Sequence, residues 1–428
     1  MTVRLPMLVA VAGAPWESVL VSALDGARAD VQVARRCVDV ADLLAAAATG
    51  QARVALVSAF LGGLDVDVVD RLLQAGVQPV GVVTPGSTAE ADQLRRIGVV
   101  DRVDADAVDD ITTVVRGLGS RRGSAGGSAT AGEPGDTPAG SSGPRGQLVA
   151  VWGPAGGPGR STLALTLAAE LATLGEPTLL IDADVYGGSI AQMLAMLDES
   201  SGLLAAARAA NTGRLDADVL ARHARRLTPT LRVLTGLPRA DRWLQLRPAA
   251  LSGVLEAARS LAAFTVVDLG FCLEQGEELS FDTAAPRRNG ATLLTLEKAD
   301  LVLAVGAADP VGLARLCRGL LDLTEVVPGV SVRVLVNRMR PTLGWTEREV
   351  AAMVSRFTGW EPVGFLPADP QGCDRALVQG RLLCEAAPDS TLRRAVRKLA
   401  CDVAGLDLSA RRVGVRTASL GRTRRVAT

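Results

Sequence analysis

The chain has 428 residues, and its 46 basic and 46 acidic side chains give a formal net charge of zero. Hydrophobic residues make up 48% but aromatic residues only 3%, which excludes a disordered chain and implies cores built from Ala, Val and Leu. The single histidine, His223, excludes a poly-His metal centre. The six cysteines contain no CxxC pair, which is typical of reduced, buried thiols in a cytoplasmic protein.

The length predicts two or three domains, each able to bury a core. No stretch reaches the roughly 18 uninterrupted apolar residues that a transmembrane helix needs. The apolar run Leu8–Ala14 fits a first buried strand better than a signal peptide, because Glu17 follows it closely. We therefore expect a cytoplasmic protein.

Short apolar strands alternate with helical stretches over residues 1–118. Five such β-α steps predict a flavodoxin-like domain, with a parallel, doubly wound sheet. The predicted strands are Met7–Ala12, Val31–Arg35, Val54–Ser58, Pro79–Val83 and Val99–Val103, and the predicted helices include Asp39–Ala48, Val66–Ala75, Thr88–Ile97 and Val108–Leu118.

This pattern resembles a response-regulator receiver domain, without its chemistry. The resemblance implies an acidic Mg²⁺-binding pair after the first strand, where this chain has Gly13 and Ala14. It implies a phosphate-accepting aspartate at the end of the third strand, where Ser58 stands, although Thr84 matches the hydroxyl residue after the fourth strand. We interpret residues 1–118 as a pseudo-receiver that binds a partner, and any other small flavodoxin-like domain remains the alternative.

Two segments have compositions that do not bury a core. Nine of the 28 residues in 119–146 are glycine, which predicts a flexible linker. The tail, residues 410–428, contains six arginines and no acid. It is interpreted as disordered, and the alternative is a weak electrostatic contact with an anionic membrane surface.

A glycine-rich loop follows the first predicted strand of the second segment, Gln147–Trp152, and precedes a helix that extends through Leu174. In this arrangement the backbone N–H groups and the helix N-terminus bind an anion. The loop approaches the pattern G-x-x-x-x-G-K-[ST], with Arg160 in the lysine position, and a turn without a ligand is the alternative. The residues expected to contact a nucleotide here are Gly156, Gly157, Gly159, Arg160, Ser161 and Thr162.

Carboxylates stand at the ends of two later predicted strands. Asp182 and Asp184 follow Thr178–Ile181, and Asp268 follows Phe264–Val267. Acids at the carboxyl ends of strands beside a phosphate loop are placed to hold Mg²⁺ and to order water. We therefore expect a metal site made by Ser161, Asp182 and Asp268.

This order of motifs resembles the MinD/ParA family of P-loop ATPases over roughly residues 147–405, and we assign 147–409 to such a domain. The family's deviant loop, K-G-G-x-G-K-[ST], is matched by 155–161. The resemblance implies a P-loop NTPase fold with a mostly parallel, doubly wound sheet, and ATP or ADP with Mg²⁺ as cofactors. It also implies that Asp184 is the switch carboxylate near the attacking water, that Asp268 is the Walker B aspartate, and that Asn337, Pro367 and Asp369 lie on the base side of the nucleotide.

Both lysines of the deviant loop are missing in this chain. The family's first lysine reaches the phosphates of a dimer partner, and Ala155 has no charge with which to do so. Arg160 keeps the charge of the second lysine, but its planar fork is not equivalent to an ammonium group. Pro158 also removes one N–H from the loop. We expect nucleotide binding with weak or absent hydrolysis, and the alternatives are a fully active ATPase that uses Arg160 and a scaffold that binds no nucleotide.

A pseudo-receiver joined by a linker to a MinD-like domain resembles the CpaE/TadZ branch and the actinobacterial CpaE-like septum-site-determining proteins. That resemblance implies a spatial regulator of septum placement or of Flp pilus and secretion machinery, with partners from those assemblies and a homodimer. The implied location is the cytoplasm, or the inner face of the membrane at a pole or septum. Residues 1–118 hold 10 basic and 15 acidic residues, and the ATPase-like domain is near neutral, so no specific nucleic acid is expected.

Overall fold

The computed structural model describes residues 5–26, 31–121, 145–196, 200–275 and 287–406. These residues form two compact units, one made by residues up to 121 with 207–215, and the other by 145–206 with 216–406. Most of the predicted linker, 122–144, and the whole arginine-rich tail, 410–428, lie outside the described residues. No helix within the described ranges is long and apolar enough to cross a membrane.

The first unit contains a five-stranded parallel sheet with strands in the order β2-β1-β3-β4-β5. This is the order of flavodoxin-like doubly wound folds, in which helices cover both faces. Two separate clusters of buried apolar side chains accordingly form the core of this unit. The strands are β1 Leu5–Ala10, β2 Val31–Arg36, β3 Val54–Ser58, β4 Gln78–Val83 and β5 Arg102–Asp104, and the helices are α1 Glu17–Gly26, α2 Val40–Ala48, α3 Val66–Gln74, α4 Thr88–Arg96 and α5 Val108–Arg121.

The predicted α/β alternation with a parallel sheet is confirmed in this unit, and the strand boundaries differ most from the prediction in β1 and β5. β1 ends before Ala12 because the chain turns there, with the N–H of Ala14 donating to the carbonyl of Val11 at 3.1 Å. β5 begins only at Arg102, the first residue that pairs with Gly81 of β4. Val99 is buried like a strand residue but lies outside the hydrogen-bonded ladder.

The second unit contains an eight-stranded sheet in the order β13-β12-β11-β6-β10-β7-β9-β8, parallel except for the β8–β9 pair. Its strands are β6 Gln147–Trp152, β7 Thr178–Ala183, β8 Arg225–Arg226, β9 Leu231–Leu234, β10 Phe264–Leu269, β11 Leu301–Ala307, β12 Val332–Met339 and β13 Pro362–Pro367. Its helices are α6 Arg160–Thr173, α7 Ile190–Met193, α9 Ala217–His223, α10 Pro248–Leu261, α11 Gly290–Lys298, α12 Pro310–Val326, α13 Glu347–Thr358, α14 Pro370–Gln379, α15 Leu383–Ala386 and α16 Thr391–Val403. Helix α8, Gly202–Asn211, begins in this unit, and its residues from Ala207 onwards belong to the first unit.

The central strands of this sheet are covered on both faces. All seven residues of β11 and five of the six in β6 are buried, which explains their continuous apolar sequences. Helix α6 is buried over ten consecutive residues, Leu163–Ala172, as expected for a helix that is apolar on all sides. The loop between β6 and α6 is therefore held at both ends by fully packed elements.

One charged residue lies within this buried helix. The Glu170 side chain is 0% exposed and accepts from Arg393 Nε at 2.7 Å and from Arg397 Nη1 at 2.9 Å. Both arginines belong to α16, so this ion-pair group joins the phosphate-loop helix to the last helix of the unit. Desolvation of a carboxylate is costly, and the two guanidinium groups offset that cost.

We predict that the Arg393→Ala/Arg397→Ala double variant loses more stability than Glu170→Gln does. The double variant leaves a buried carboxylate without its partners, which costs about 3–5 kcal/mol, whereas Glu170→Gln removes the buried charge itself. Denaturant unfolding of the full chain, followed by tryptophan fluorescence, measures the difference.

Arg394→Ala is the matched control, because Arg394 lies on the same helix and is exposed. It should change the free energy of unfolding by less than about 0.5 kcal/mol. A double variant that unfolds at the wild-type denaturant concentration would show that this ion-pair group contributes nothing.

Candidate phosphate-binding site

The loop between β6 and α6 has the backbone conformation that its glycines allow. Gly156, Gly157 and Gly159 have φ values of 107°, 63° and 99°, in the left-handed region that other residues rarely adopt. Gly159 is the N-cap of α6 and supplies no side-chain cap. The first N–H groups of this helix can therefore bind an external acceptor, as they do in anion sites at helix N-termini. Ser161 and Thr162 lie half-buried in this first turn.

The Arg160 side chain folds back over the start of the loop. Its Nη1 donates to the carbonyl oxygens of Gly153 and Pro154, both at 3.1 Å, and its Nη2 lies 3.4 Å from Asp184 Oδ2. The side chains of this ion pair are only 12% and 6% exposed. Arg160 Nε is buried and has no hydrogen-bond partner among the described residues. The planar fork thus ties the loop to the end of β7, a geometry that a lysine cannot reproduce.

Asp184 divides its two oxygens between this ion pair and its own turn. Oδ2 faces Arg160, while Oδ1 accepts from the backbone N–H groups of Tyr186 at 2.9 Å and Gly187 at 3.2 Å. Any change in the position of Arg160 therefore acts on the carboxylate that also holds residues 186–187 in place.

Asp182 is buried and holds the other end of the same turn. Its oxygens accept from the N–H groups of Asp184 at 3.3 Å and Ile190 at 3.1 Å. Gly188 and Gly236 pack so closely that a Cβ on either would lie less than 3 Å from this carboxyl group. Burial, with a smaller contribution from the Asp184 charge, raises the pKa of Asp182 to about 7. The structure thus engages Asp182, predicted as a metal ligand, in backbone hydrogen bonds.

Asp268 has a different environment at the end of β10, where it lies opposite Asp182 in the sheet register. It is 0% exposed, and neither carboxylate oxygen has a hydrogen-bond partner in the described part of the chain. Burial first, and then the Asp182 charge, raises the pKa of Asp268 well above its usual range. The nearby Ser161 hydroxyl and the Arg160 charge lower the pKa without outweighing the desolvation. A buried carboxyl group with two free oxygens is the arrangement that a proton or a bound cation completes.

Asn337 contacts the phosphate loop from β12. Its Nδ2 donates to the Pro158 carbonyl at 2.8 Å, and its Oδ1 accepts from the N–H of Arg338. A Cβ at Gly159 would lie 2.4 Å from this Nδ2, so glycine is required there for space as well as for conformation. Arg338 has a φ of 61°, so a strained residue adjoins the site.

Asp369, predicted on the base side of a nucleotide, caps two helices. It accepts from the N–H of Gly372 at 2.9 Å in α14, and from the Ser390 hydroxyl at 2.6 Å and the Thr391 N–H at 3.0 Å at the start of α16. These hydrogen bonds, with Ser390 first, hold the pKa of Asp369 below its usual range. Pro367 ends β13 beside Met339.

The structure therefore brings most predicted residues to one edge of the sheet. Contacts within hydrogen-bonding distance connect the phosphate loop with Arg160, Asp184 and Asn337, whereas the contacts of Asp369 connect it to α14 and α16. No group of three or more His, Cys, Asp or Glu side chains in the described ranges is placed to hold a metal ion. A Mg²⁺ ion bound with phosphate oxygens and water needs only one or two protein ligands, and Ser161 and Asp268 remain suited to that role.

Sequence reasoning missed a cluster built around Tyr186, the only tyrosine of the chain. The Tyr186 hydroxyl donates to Asn289 Oδ1 at 2.7 Å, and the Arg288 guanidinium lies 4.1 Å from the ring centroid. Asn289 Nδ2 in turn donates to the Glu274 carbonyl at 2.8 Å, and the Phe271 ring lies 4.9 Å from that of Tyr186. The turn after Asp184 is thereby fastened to the segments after β10 and before α11. The sequence signal that could have indicated this cluster is the single tyrosine of the chain, which lies between Asp184 and the pair Gly187-Gly188.

Residues 146–220 match the family model of ParA, described as an NUBPL iron-transfer P-loop NTPase. No curated protein matches this chain in sequence. Among solved structures, a ParA family ATPase from Chlorobium tepidum TLS is 19% identical, with 59% of this chain and 98% of that chain covered and a TM-score of 0.50.

Two MinD structures from archaea also align with the chain. The cell division ATPase MinD of Pyrococcus furiosus is 16% identical, with 61% of this chain and 100% of its own covered and a TM-score of 0.48. The septum site-determining protein MinD of Pyrococcus horikoshii OT3, complexed with Mg-ADP, is 16% identical. The alignment covers 62% of this chain and 97% of that protein, with a TM-score of 0.47.

The fold shared with the Chlorobium protein is an α/β fold with a mostly parallel sheet, and residues 146–220, which match the ParA P-loop NTPase model, include the glycine-rich loop of the second unit. Both similarities are to ParA-type proteins, one in the sequence of residues 146–220 and the other in the fold of the second unit.

Tyr186 allows a direct test of the geometry around Asp184. Burial raises the pKa of this tyrosine to about 12, with smaller contributions from Cys272. We predict that absorbance at 295 nm shows no tyrosinate in the native chain at pH 10.5, and that the same tyrosine ionises near pH 10 in denaturant.

The sign of the stability change follows from these two pKa values. The folded state retains the proton longer than the unfolded state, so this contribution is complete below about pH 10 and is lost as the pH rises towards 12. Asn289→Ala should lower the pKa of Tyr186 in the folded chain, because it removes the acceptor to which the protonated hydroxyl donates. Native tyrosine that ionises at its ordinary pKa would contradict the arrangement described here.

Proposed function

We propose that the second unit binds a nucleoside triphosphate with Mg²⁺ at the loop Gly153–Ser161 and acts as a nucleotide-dependent switch with little or no hydrolysis. The observation that carries this proposal is Asp268, which is fully buried, has no hydrogen-bond partner in the geometry of the described residues, and lies near enough to the Ser161 hydroxyl for that group to lower its pKa. It stands beside a left-handed glycine loop and an α6 N-terminus without a side-chain cap. Burial of such a carboxylate is costly unless a cation or proton completes it.

ATP is the expected nucleotide, and ADP is expected to occupy the same loop. The backbone N–H groups of Gly156, Gly157 and residues 159–162 would bind phosphate oxygens. The Ser161 hydroxyl and Asp268 would hold the Mg²⁺ ion. Bound Mg²⁺ supplies positive charge against the phosphates and against Asp268. In this proposal Asp182 supports the turn at 184–190, since its oxygens already accept two backbone N–H groups.

Weak hydrolysis is proposed because the groups that would assist it are engaged elsewhere. Asp184, the candidate for orienting water, is paired with Arg160. Arg160 is itself held by two loop carbonyls, so its charge is directed at protein rather than at a leaving phosphate. Preorganised charge at the transition state is usually the largest catalytic term. The ion pair must open before either residue takes part in chemistry.

We further propose that the chain is a CpaE-like spatial regulator. In this role the bound nucleotide would determine whether the protein is dimeric or bound to a partner. The process would be septum placement or the assembly of Flp pilus and secretion machinery. In support, the first unit has the flavodoxin-like strand order and polar groups that are already satisfied. Buried Ser58 accepts from the Phe60 N–H at 3.0 Å, and the Thr84 hydroxyl accepts from the Trp16 indole at 3.0 Å. This arrangement suits a pseudo-receiver that binds a protein and does not accept phosphate.

Nucleotide binding and turnover, measured on the full chain with Mg²⁺, test the proposal. We predict that the wild type binds ATP and ADP, and that its turnover is at least about 100-fold below the roughly 10 per second of a typical enzyme. Asp268→Asn should abolish the dependence of binding on Mg²⁺, because the free carboxylate is lost. Asp402→Asn is the control, since it removes an exposed carboxylate on α16.

The alternatives give different results in the same assay. Rapid turnover that both Arg160→Ala and Asp184→Ala abolish would establish an active ATPase that uses Arg160. A chain that binds neither nucleotide at millimolar concentration would be a scaffold without a nucleotide site.

The spatial role has its own test in cells. We predict that a fluorescent fusion of the full chain collects at a septum or pole and becomes diffuse in Asp268→Asn, because the bound state controls the partner. Asp402→Asn should leave the foci unchanged. Foci that persist in Asp268→Asn with unchanged intensity would separate localisation from the nucleotide site.

A further inference from the structure

A second arginine lies against the phosphate loop at the position where the loop itself carries no charge. Arg315 of α12 is exposed, and its Nη1 lies 3.4 Å from the carbonyl oxygen of Ala155. Arg160, in contrast, is buried and paired with Asp184. The two guanidinium groups thus differ in their freedom to meet a ligand.

Close helix packing places Arg315 there. Gly319 of α12 approaches Trp152 so closely that a Cβ on it would lie 2.9 Å from Trp152 Cη2 and 3.6 Å from Pro154 Cβ. Residues four apart lie on the same face of a helix, so Arg315 is directed at the next part of the chain, Ala155 and Gly156. The buried Trp152 and the small Gly319 therefore determine which side chain of α12 meets the loop.

The Arg315 side chain packs closely against Gly156. A Cβ at Gly156 would lie 2.1 Å from Arg315 Nη1 and 3.3 Å from its Cζ, so the guanidinium covers the space that any side chain would need. The φ of 107° at Gly156 already favours glycine. Residue 156 is therefore restricted to glycine for two independent reasons, its backbone conformation and its contact with Arg315.

Arg315 remains available for an anion. Its hydrogen bond to the neutral Ala155 carbonyl is long, and in the described ranges Arg315 has no ion-pair partner. It borders a cavity of about 560 Å³ whose lining includes Ala155 and Arg318 and also the acidic residues Glu274, Asp322 and Glu325. A charged donor that gives up one long neutral hydrogen bond for a phosphate oxygen gains a stronger, charge-assisted one.

We propose that Arg315 binds the terminal phosphate of a nucleoside triphosphate held in the loop, and that it supplies from within the same chain the positive charge that Ala155 lacks. This inference rests on the proposed nucleotide function. The loop N–H groups cradle the inner phosphates, so a cation outside the cradle, at residues 155–156, meets the outermost one. Arg315 would then make the site discriminate between triphosphate and diphosphate.

The test is the ratio of two affinities, measured by calorimetry on the full chain with Mg²⁺. The ligands are ADP and a non-hydrolysable ATP analogue, and the variants are Arg315→Ala, Arg315→Lys and Arg318→Ala. Arg315→Ala should weaken binding of the analogue at least about 10-fold, as expected for a hydrogen bond to a charged group, with ADP within about twofold. Arg315→Lys should restore part of the preference, since it keeps the charge without the fork.

Arg318→Ala is the matched control, because Arg318 borders the same cavity and is also exposed. It should leave the ratio of affinities unchanged. An Arg315→Ala variant with the wild-type ratio overturns the inference while the proposed function stands. An equal loss for both ligands overturns it too, because it indicates a loss of loop packing. A wild type that binds neither ligand overturns the proposed function and this inference with it.

Discussion

Burial of three carboxylates at one edge of a parallel sheet is the constraint that governs the second unit. Asp182, Asp184 and Asp268 are all 5% exposed or less, and β7 and β10 bring them to the same edge. Burial raises the pKa of Asp182 to about 7 and raises that of Asp268 well above its usual range. Backbone N–H groups stabilise Asp182, and Arg160 stabilises Asp184. At Asp268 the Ser161 hydroxyl and the Arg160 charge lower the pKa but do not outweigh the desolvation.

A chain of polar contacts connects Asp184 with the Tyr186 cluster. Arg160 holds Asp184, Asp184 holds the N–H of Tyr186, and Tyr186 holds Asn289 before α11. A charge that enters the phosphate loop competes with Asp184 for Arg160, and the competition reaches the Tyr186 cluster through hydrogen bonds alone. A nucleotide-dependent change of surface therefore needs no large motion in this fold, only a second arrangement of a few polar contacts.

Much of this arrangement was predictable from the sequence, because it depends on local patterns. The glycines of the loop, the apolar strands and the acids after them identified Asp184 and Asp268 together with the parallel sheet. The contacts of Asp369 and Asn337 were not predictable, because both are hydrogen bonds to distant parts of the chain. Asp369 accepts from Ser390, 21 residues away, and Asn337 donates to the Pro158 carbonyl, 179 residues away. Arg315 was missed for the same reason, because only the packing of Gly319 on Trp152 brings α12 to the loop.

At the proposed nucleotide site the positive charge comes from two arginines in different positions, Arg160 of the loop and Arg315 of α12. A lysine at residue 155 would project a flexible, strongly hydrated ammonium group from the loop itself. Here one guanidinium is drawn inward against Asp184, where it stabilises the ligand-free loop, and another approaches from α12, where its exposure leaves it free to rotate. The inward arginine opposes chemistry, because its ion pair must break first, while the outward arginine favours recognition of the terminal phosphate. Under the proposed function, this division of charge makes the site better suited to sensing which nucleotide is bound than to hydrolysing it quickly.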